Sequence, residues 1–281
     1  ETTKDLLNPQ LGTRPVVNPV PTSLRYTTAK DVSLFISDRL WLNDQWSLTA
    51  GLRQAYYEVD QTATTTNGTA TCRGATIAAG VGCRTGSNTD FLTPQVGVIW
   101  EPAEGQNYYV SYSSSARPAG VSVANGDTIA GPAAGSSVGT QDLDPEENTN
   151  IEAGARIALF DNRLQLQGAI FQTKKDNAKE IDPISNTVVT SGDSLELTGV
   201  EFGVAGAITD EWSINANFTY VDAEITDSTN AAAIGNQTSF VPETAASLWT
   251  TYNFTGALLG LEIGGGVTYQ DDVFLNTANT A

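Results

Sequence analysis

The stretch Asn150-Ile-Glu-Ala-Gly-Ala-Arg-Ile-Ala-Leu-Phe-Asp-Asn-Arg-Leu-Gln-Leu-Gln-Gly-Ala-Ile-Phe171 predicts a β-hairpin. Before Asp161, apolar residues occupy every second position, and glutamate, glycine and arginine occupy positions between them. After Asp161-Asn162 the same two-residue alternation restarts. That period is typical of strands whose two faces differ. Each arm has about ten residues, the length that a tilted strand needs to cross a bilayer. The stretch therefore predicts two strands of a transmembrane barrel.

Short connections recur along the chain, and each separates two alternating segments. They lie at Asn43-Asp44, 101–105, Asp161-Asn162, Asp210-Glu211 and Thr255-Gly256. The connections between these hairpins are long and polar, at 61–90, 119–147, 174–193 and 227–239. Short turns at one end of the strands and long loops at the other are typical of outer-membrane barrels. A water-soluble β-sandwich is the alternative, but structureless loops of this length are uncommon in a compact sandwich.

The whole pattern gives about ten strands and no helix. In these strands the charged residues fall on the less apolar parity, as expected if a charge at mid-membrane costs about 2–4 kcal/mol. Asp38 is the exception, because it shares its parity with Val32, Leu34, Ile36 and Leu40, and it predicts a β-bulge or a displaced register. Aromatic residues cluster near strand ends, as in a headgroup girdle: Trp41, Trp46, Trp100, Phe160, Trp212 and Phe254.

Composition excludes several classes of function. The 281 residues carry a formal net charge of −18, from 32 acidic and 14 basic residues, which disfavours nucleic acid as a partner. The chain has no histidine, so a Ser/His/Asp triad cannot be assembled, and no enzyme is expected. Asp142, Asp144, Glu146 and Glu147 lack the spacing of a calcium loop and are interpreted as a solvated acidic loop. No resident metal site is expected.

The two cysteines, Cys72 and Cys83, lie inside one polar stretch. A disulfide between them would remove roughly 3 kcal/mol of unfolded-chain entropy, and it would imply an extracytoplasmic compartment. Two free surface thiols are the alternative. The sequence opens at Glu1 without the basic and apolar regions of a signal peptide, so either such a peptide has been removed or the sequence begins partway through a longer protein. It ends at Ala281 directly after Asn276-Thr-Ala-Asn-Thr, without a closing strand. We therefore expect further sequence on both sides.

A resemblance to a known family begins at Leu143-Asp-Pro-Glu-Glu-Asn-Thr-Asn-Ile-Glu-Ala-Gly-Ala-Arg156. This stretch resembles the barrel of TonB-dependent siderophore receptors, which carry a Leu-x-Pro-Glu run, then Asn, then Glu-x-Gly. Other matches follow in family order over about 32–281: Tyr109-Val-Ser-Tyr112, Thr198-Gly-Val-Glu-Phe-Gly203, Val241-Pro with Ser247-Leu-Trp-Thr-Thr-Tyr252, and Gly264-Gly-Gly-Val-Thr-Tyr269 with Asn276-Thr277. The chain departs from the family at Ala116, where Phe is commoner before Arg117-Pro118, and at Glu243-Thr244, which replaces a frequent His.

The resemblance implies an all-β, transmembrane, antiparallel up-and-down β-barrel. The chain would supply about ten of about 22 strands. Residues 1–281 would form a partial barrel domain, with the plug domain and the final strands outside it. The implied function is uptake of ferric siderophores across the bacterial outer membrane, energised by TonB through a plug segment outside this chain. Iron would be carried only as the siderophore complex, with no resident cofactor, and lipid of the outer membrane would surround the wall. The alternative is a passive porin, or a barrel that serves as a structural surface component.

A siderophore would be met by aromatic side chains for its flat rings and by cations for its negative charge. The candidates lie at or beyond the loop ends of their strands: Tyr57, Tyr112, Arg117, Tyr220 and Phe240. Loop packing or a girdle position is the alternative for each. Closure separates the two architectures, because a self-contained ten-strand barrel would pair residues 31–42 with residues 258–269, whereas an arc of a larger barrel would not.

Overall fold

A computed structural model describes residues 23–66, 68–72, 75–118, 145–182, 187–228 and 230–279. These residues form twelve strands and one short 3-10 helix at Gly256–Leu258. Among the described residues no helix is long and apolar enough to cross a membrane. The strands are β1 (Ser23–Trp41), β2 (Trp46–Thr65), β3 (Thr69–Cys72), β4 (Ala75–Ala78), β5 (Gly82–Trp100), β6 (Gln106–Arg117), β7 (Glu146–Leu159), β8 (Leu164–Asp182), β9 (Thr187–Ala207), β10 (Trp212–Asp227), β11 (Thr244–Asn253) and β12 (Glu262–Gln270).

Ten of the strands form one antiparallel sheet in the order β1-β2-β5-β6-β7-β8-β9-β10-β11-β12, and β3 and β4 form a separate small hairpin. The order is that of an up-and-down meander, which confirms the predicted all-β architecture. The strands β1 and β12 stand at the two ends of the sheet, and within the described residues they do not pair with each other. The ten strands are therefore an open arc rather than a closed small barrel.

The register keeps apolar residues on one face of the sheet from strand to strand. One row of paired residues runs across eight strands as Leu40, Leu48, Val98, Val110, Ala153, Ile170, Val200 and Tyr220. We call this side, which also carries the exposed Leu34, Ile36 and Val267, the apolar face. The opposite side, which carries Thr49, Ser111 and Glu152, is the polar face. The apolar face is the lipid-facing surface that a transmembrane barrel requires.

Charged residues on the apolar face mark where the hydrocarbon layer ends. Moving from the short turns towards the long loops, and apart from Asp38 near the end of β1, this face carries no charged residue in these strands until the positions Lys30, Glu58, Asp90, Glu147, Lys174, Glu196 and Asp222. Lys30 is the register partner of Glu58, with Nζ 3.1 Å from Oε2, and Lys174 pairs with Glu196 at 3.0 Å. The strands therefore continue beyond the membrane boundary as a sheet in water.

This extension corrects two of the predicted loops. The region 61–90 is mostly strand, because β2 continues to Thr65 and β5 starts at Gly82, with the β3–β4 hairpin between them. The region 174–193 is likewise occupied largely by the outer parts of β8 and β9. Outside the bilayer both faces of a sheet contact water, so these extensions carry polar residues and lose the alternation that identifies a membrane strand.

Asp38 does not disturb the sheet, and the predicted bulge is wrong. The β1–β2 register runs without a shift from Ser23 opposite Thr65 to Trp41 opposite Ser47. Asp38 lies close to the end of β1, and its Oδ1 accepts the backbone N–H of Arg39 at 2.8 Å. A carboxylate costs least near the membrane interface, so this depth explains its presence on the apolar face.

Aromatic rings pack beside the short turns, as predicted. Trp46 stacks on Trp100 with 5.6 Å between ring centroids, and Trp100 lies 5.2 Å from Tyr108. All three belong to the apolar face of adjacent strands. They form an interfacial girdle at the inner end of the wall.

Candidate functional site

The polar face is the concave side of the arc. Along β2 its residues Ala55, Tyr57 and Val59 are buried, whereas Leu52 and Tyr56 on the apolar face of the same strand are exposed. A sheet that curves towards one side shields the side chains of that side. The polar face therefore lines the interior of the barrel, and it is where a transported ligand or an internal domain would meet this chain.

Midway along β6 and β7, three polar side chains form a fixed group. The hydroxyl of Tyr109 donates a hydrogen bond to Oε1 of Glu152, and the Arg156 guanidinium lies 5.4 Å from the Tyr109 ring centroid. The ring lies across Gly154, its register partner, so closely that an added Cβ would stand 2.6 Å from the ring Cζ. Glycine at this position lets the tyrosine lie flat on the wall, and the tyrosine fixes the Glu152 carboxylate.

A second carboxylate, that of Glu201, lies on the same face of β9. It is exposed, and within the described chain it makes no ion pair. The inner wall thus presents two negative groups at mid-depth, one fixed by Tyr109 and one without a counter-ion. Neither residue was predicted to belong to a site, although Glu152 and Glu201 both fall within the quoted family motifs.

At the outer end of the polar face, Glu146 lies between two cations. Arg117 is its register partner on β6, with Nη1 3.7 Å from Oε2, and Lys175 of β8 has Nζ 3.7 Å from the same oxygen. Glu146 is buried, so its predicted place in a solvated acidic loop is wrong. We call Arg117, Glu146 and Lys175 the mouth cluster.

The predicted ligand contacts divide between the two faces. Tyr57 and Arg117 lie on the polar face, and Phe240 lies in the β10–β11 loop with 66% of its surface exposed. Tyr112 and Tyr220 lie on the apolar face, which favours the alternative that they belong to an aromatic girdle rather than to a ligand site. No hydrogen bond, ion pair or ring contact joins any two of these residues in the described part of the chain.

The β10–β11 loop is bonded to the edge of β10. The N–H of Thr238 donates to the Ala223 carbonyl at 2.8 Å, and the N–H of Gly235 donates to the Ile225 carbonyl at 2.9 Å. Ala223 and Ile225 are buried beneath this loop. The N–H of Phe240, whose φ is 63°, donates to the Phe274 carbonyl at 2.9 Å, so the segment after β12 holds the loop from its other side.

Just beyond the membrane-spanning part of β12, Asp271 is held by neighbouring groups. Hydrogen bonds from the Tyr269 hydroxyl, and next from Thr244, lower the pKa of the Asp271 carboxyl below its ordinary value. The backbone N–H of Asp271 also donates to the Thr244 carbonyl at 2.9 Å. Asp271 therefore connects the end of β12 to the start of β11.

Cys83 lies in β5 opposite Ala63 and is disulfide-bonded. Cys72 is the other cysteine of the sequence, and its side chain lies outside the described residues. The pairing of Cys72 with Cys83 stays a prediction. In the described residues no group of three or more acidic or cysteine side chains is arranged to hold a metal ion.

Comparison with known proteins gives consistent matches over most of the chain. A family model described as TonB dependent receptor-like, beta-barrel, matches residues 2–281. The probable TonB-dependent siderophore receptor PiuA of Acinetobacter baumannii is 35% identical over 267 residues, which cover 90% of this chain and 33% of PiuA. The catecholate siderophore receptor Fiu of Escherichia coli is 24% identical over 245 residues, which cover 84% of this chain and 31% of Fiu.

Solved structures agree with these matches. The crystal structure of the siderophore receptor PiuA from Acinetobacter baumannii superposes with a TM-score of 0.71 and 32% identity, covering 90% of this chain and 35% of that chain. The closed form of the ferric-catecholate import receptor Fiu from E. coli gives a TM-score of 0.67 at 23% identity, which shows a shared fold. The chain spans about a third of the length of the curated relatives it matches.

Proposed function

Because the chain belongs to the TonB-dependent receptor β-barrel family, we propose that it forms part of the wall of a receptor that takes up ferric siderophores, driven by TonB. The chain is part of an outer-membrane β-barrel, and the family consists of receptors and transporters rather than enzymes. The relatives named as siderophore receptors support the ligand class.

The main structural support for this proposal is the concave polar face. It lines the interior with Glu152 and Glu201 at mid-depth, where a plug domain outside this chain would fill the lumen. A carboxylate in a water-poor interior requires a cationic partner. We therefore infer that cationic side chains of the plug pair with these two glutamates, and that TonB acts on the wall only through the plug.

Uptake by the full-length receptor tests the proposal. A strain that lacks the chromosomal gene is supplied with the full gene and given iron-55 complexed to a catecholate or to a hydroxamate siderophore. We expect accumulation of at least one complex, and its loss when TonB is deleted. Accumulation that persists without TonB would favour the passive porin, and no accumulation of either complex would overturn siderophore uptake.

A second experiment addresses the plug. Exchanging Glu152→Gln and Glu201→Gln together removes both negative charges while keeping the size of the side chains. We expect the plug to be held less firmly, and the cells to become sensitive to a large antibiotic that an intact outer membrane excludes. Asp222→Asn, on the apolar face beyond the membrane boundary, is the matched control and should leave exclusion intact. Equal sensitivity of both strains would contradict the role of the two glutamates.

A further inference from the structure

The mouth cluster places two cations around one buried carboxylate on the interior side of three adjacent strands. The Glu146 side chain is only 4% exposed, whereas the side chains of Arg117 and Lys175 are 56% and 30% exposed. The cations thus keep an accessible surface while the carboxylate does not. Their separation of 3.7 Å from Glu146 Oε2 is an ion-pair distance, longer than that of a charge-assisted hydrogen bond.

The strands fix the spacing of the two cations. Arg117 is directly opposite Glu146, and Lys175 is opposite Asn148, the next residue of β7 on the same face. Glu146 therefore lies between them and counteracts their mutual repulsion. The three side chains together carry one net positive charge, in a chain whose formal charge is −18. An anion that reaches the polar face from outside meets this local positive group at the outer end of the wall.

We propose that Arg117 and Lys175 select an anionic ligand at the mouth of the barrel, and that Glu146 is a positioning residue that keeps the two cations parallel and partly neutralised. The inference rests on the proposed siderophore uptake and adds a charge preference to it. The ligand's anionic group binds the exposed sides of both cations, while Glu146 stays paired with their buried sides. The acidic partner also limits how tightly an anion is held, so that the ligand can leave this site and move inward.

Removing the negative charge of Glu146 distinguishes a role in charge selection from a purely structural role. In Glu146→Gln the amide keeps the size of the side chain, but the cluster carries two positive charges in place of one. An anionic ligand should then bind more tightly. If Glu146 only supported the fold, the same exchange would weaken the binding of every ligand.

The experiment uses the purified full-length receptor and two ferric probes of opposite electrostatic character, an anionic tris(catecholate) and an uncharged tris(hydroxamate). Binding is measured by quenching of intrinsic tryptophan fluorescence. Lys175→Met should weaken binding of the anionic probe about three- to fivefold, the upper part of the range for an exposed ion pair. Glu146→Gln should strengthen it by a similar factor. Neither exchange should change the affinity of a bound neutral probe more than twofold.

Lys174→Met is the matched control, because Lys174 is the neighbouring residue of β8 and points to the opposite face, where it pairs with Glu196. It removes the same charge and should leave the affinity for both probes unchanged. Equal effects of Lys174→Met and Lys175→Met would overturn the proposal, as would weaker binding of the anionic probe by Glu146→Gln. If Glu146→Gln does not fold, the comparison of the two lysine variants decides.

Binding of the two probes to the wild-type receptor tests the charge preference and siderophore uptake separately. Binding of the neutral probe alone would overturn the charge preference and leave siderophore uptake in place. Binding of neither probe would overturn both.

Discussion

The side-chain amide of Asn279 pairs with the backbone of Gln237 in both directions. Its Oδ1 accepts the Gln237 N–H at 2.8 Å, and its Nδ2 donates to the Gln237 carbonyl at 2.8 Å. Asn279 has a φ of 51°, a left-handed conformation that asparagine tolerates better than most residues. The side chain thus makes the same two hydrogen bonds to Gln237 that a neighbouring β-strand would make. It joins the segment after β12 to the β10–β11 loop.

Replacing Asn279 with glycine should release this loop. Glycine keeps the left-handed backbone without strain, so Asn279→Gly removes the two hydrogen bonds to Gln237, worth about 0.5–1.5 kcal/mol each, together with a longer one of 3.5 Å to the Asn276 carbonyl. We expect faster amide hydrogen exchange in the peptide 232–242 of the full-length receptor, measured by mass spectrometry. Exchange in 212–220 of β10 serves as the internal control and should not change. Unaltered exchange at 232–242 would show that the backbone bonds to β10 suffice.

The assignment of the two faces can be tested at adjacent residues of β10. Ala216 lies on the apolar face between Val204 and Leu248, and Asn217 lies on the polar face. Ala216→Arg should cost about 2–4 kcal/mol in the hydrocarbon layer, whereas Asn217→Arg should be tolerated. The measurement is the amount of folded, heat-modifiable receptor in the outer membrane. Similar losses from both exchanges would show that the faces are assigned wrongly.

Gly154 should be intolerant of even one methyl group. An added Cβ would stand 2.6 Å from the Tyr109 ring, so Gly154→Ala should destabilise the barrel by about 1–3 kcal/mol through overpacking. At Gly168, close to it on the neighbouring strand, the nearest atom would be an ordinary 3.5 Å away. Gly168→Ala is therefore the control and should be neutral or slightly stabilising. Thermal unfolding of the receptor in detergent compares the two, and equal midpoints would contradict the prediction.

Asp271 should contribute a small stabilisation that acid removes. Because hydrogen bonds lower its pKa in the folded state, the contribution is present above its ordinary pKa of 3.8 and is lost as the pH falls through the lowered folded value. Asp271→Asn should therefore lower the midpoint of denaturation at pH 6, and the two proteins should converge in strong acid. The effect is small because the carboxylate is exposed. The neighbouring Asp272→Asn is the control, and a difference that grows on acidification would refute the sign.

The cysteine pairing is tested by alkylation. If Cys72 and Cys83 are bonded to each other, the unreduced, denatured receptor will show neither thiol modified, and reduction will expose both. Cys72→Ser should leave Cys83 reactive without reduction. Two alkylated cysteines in the unreduced wild-type protein would contradict the pairing.

Most of the wall could be predicted from the sequence because each strand and its register depend on residues that are close together in the chain. Alternation between two faces sets each strand, and hairpins such as Asp161-Asn162 set the register by chain continuity. The predicted bulge at Asp38 failed because parity alone does not report depth in the membrane, and near the interface a carboxylate is tolerated. The outer strands were interpreted as loops because a polar sheet in water has no need of alternation.

The candidate site was harder to predict, because its residues come from strands far apart in the chain. Tyr112 and Tyr220 share parity with Val110 and Phe218, so the sequence already contained the sign that they face lipid. Lys175 was missed, although counting back from the Asp161-Asn162 turn places it opposite Asn148, beside Glu146. The link between Asn279 and Gln237 has no sequence signal, since it joins two irregular segments through one side chain.

The extension of β1, β2 and β5 above the membrane determines what an antibody can recognise. On that sheet Glu58 is the register partner of both Lys30 and Asn88, so one patch combines residues from three separate parts of the chain. A linear peptide taken from 58–90 would present consecutive residues, whereas each face of the folded sheet shows only alternate ones. Antibodies that bind living cells at this place should therefore require the folded barrel as immunogen, and they should fail on denaturing blots.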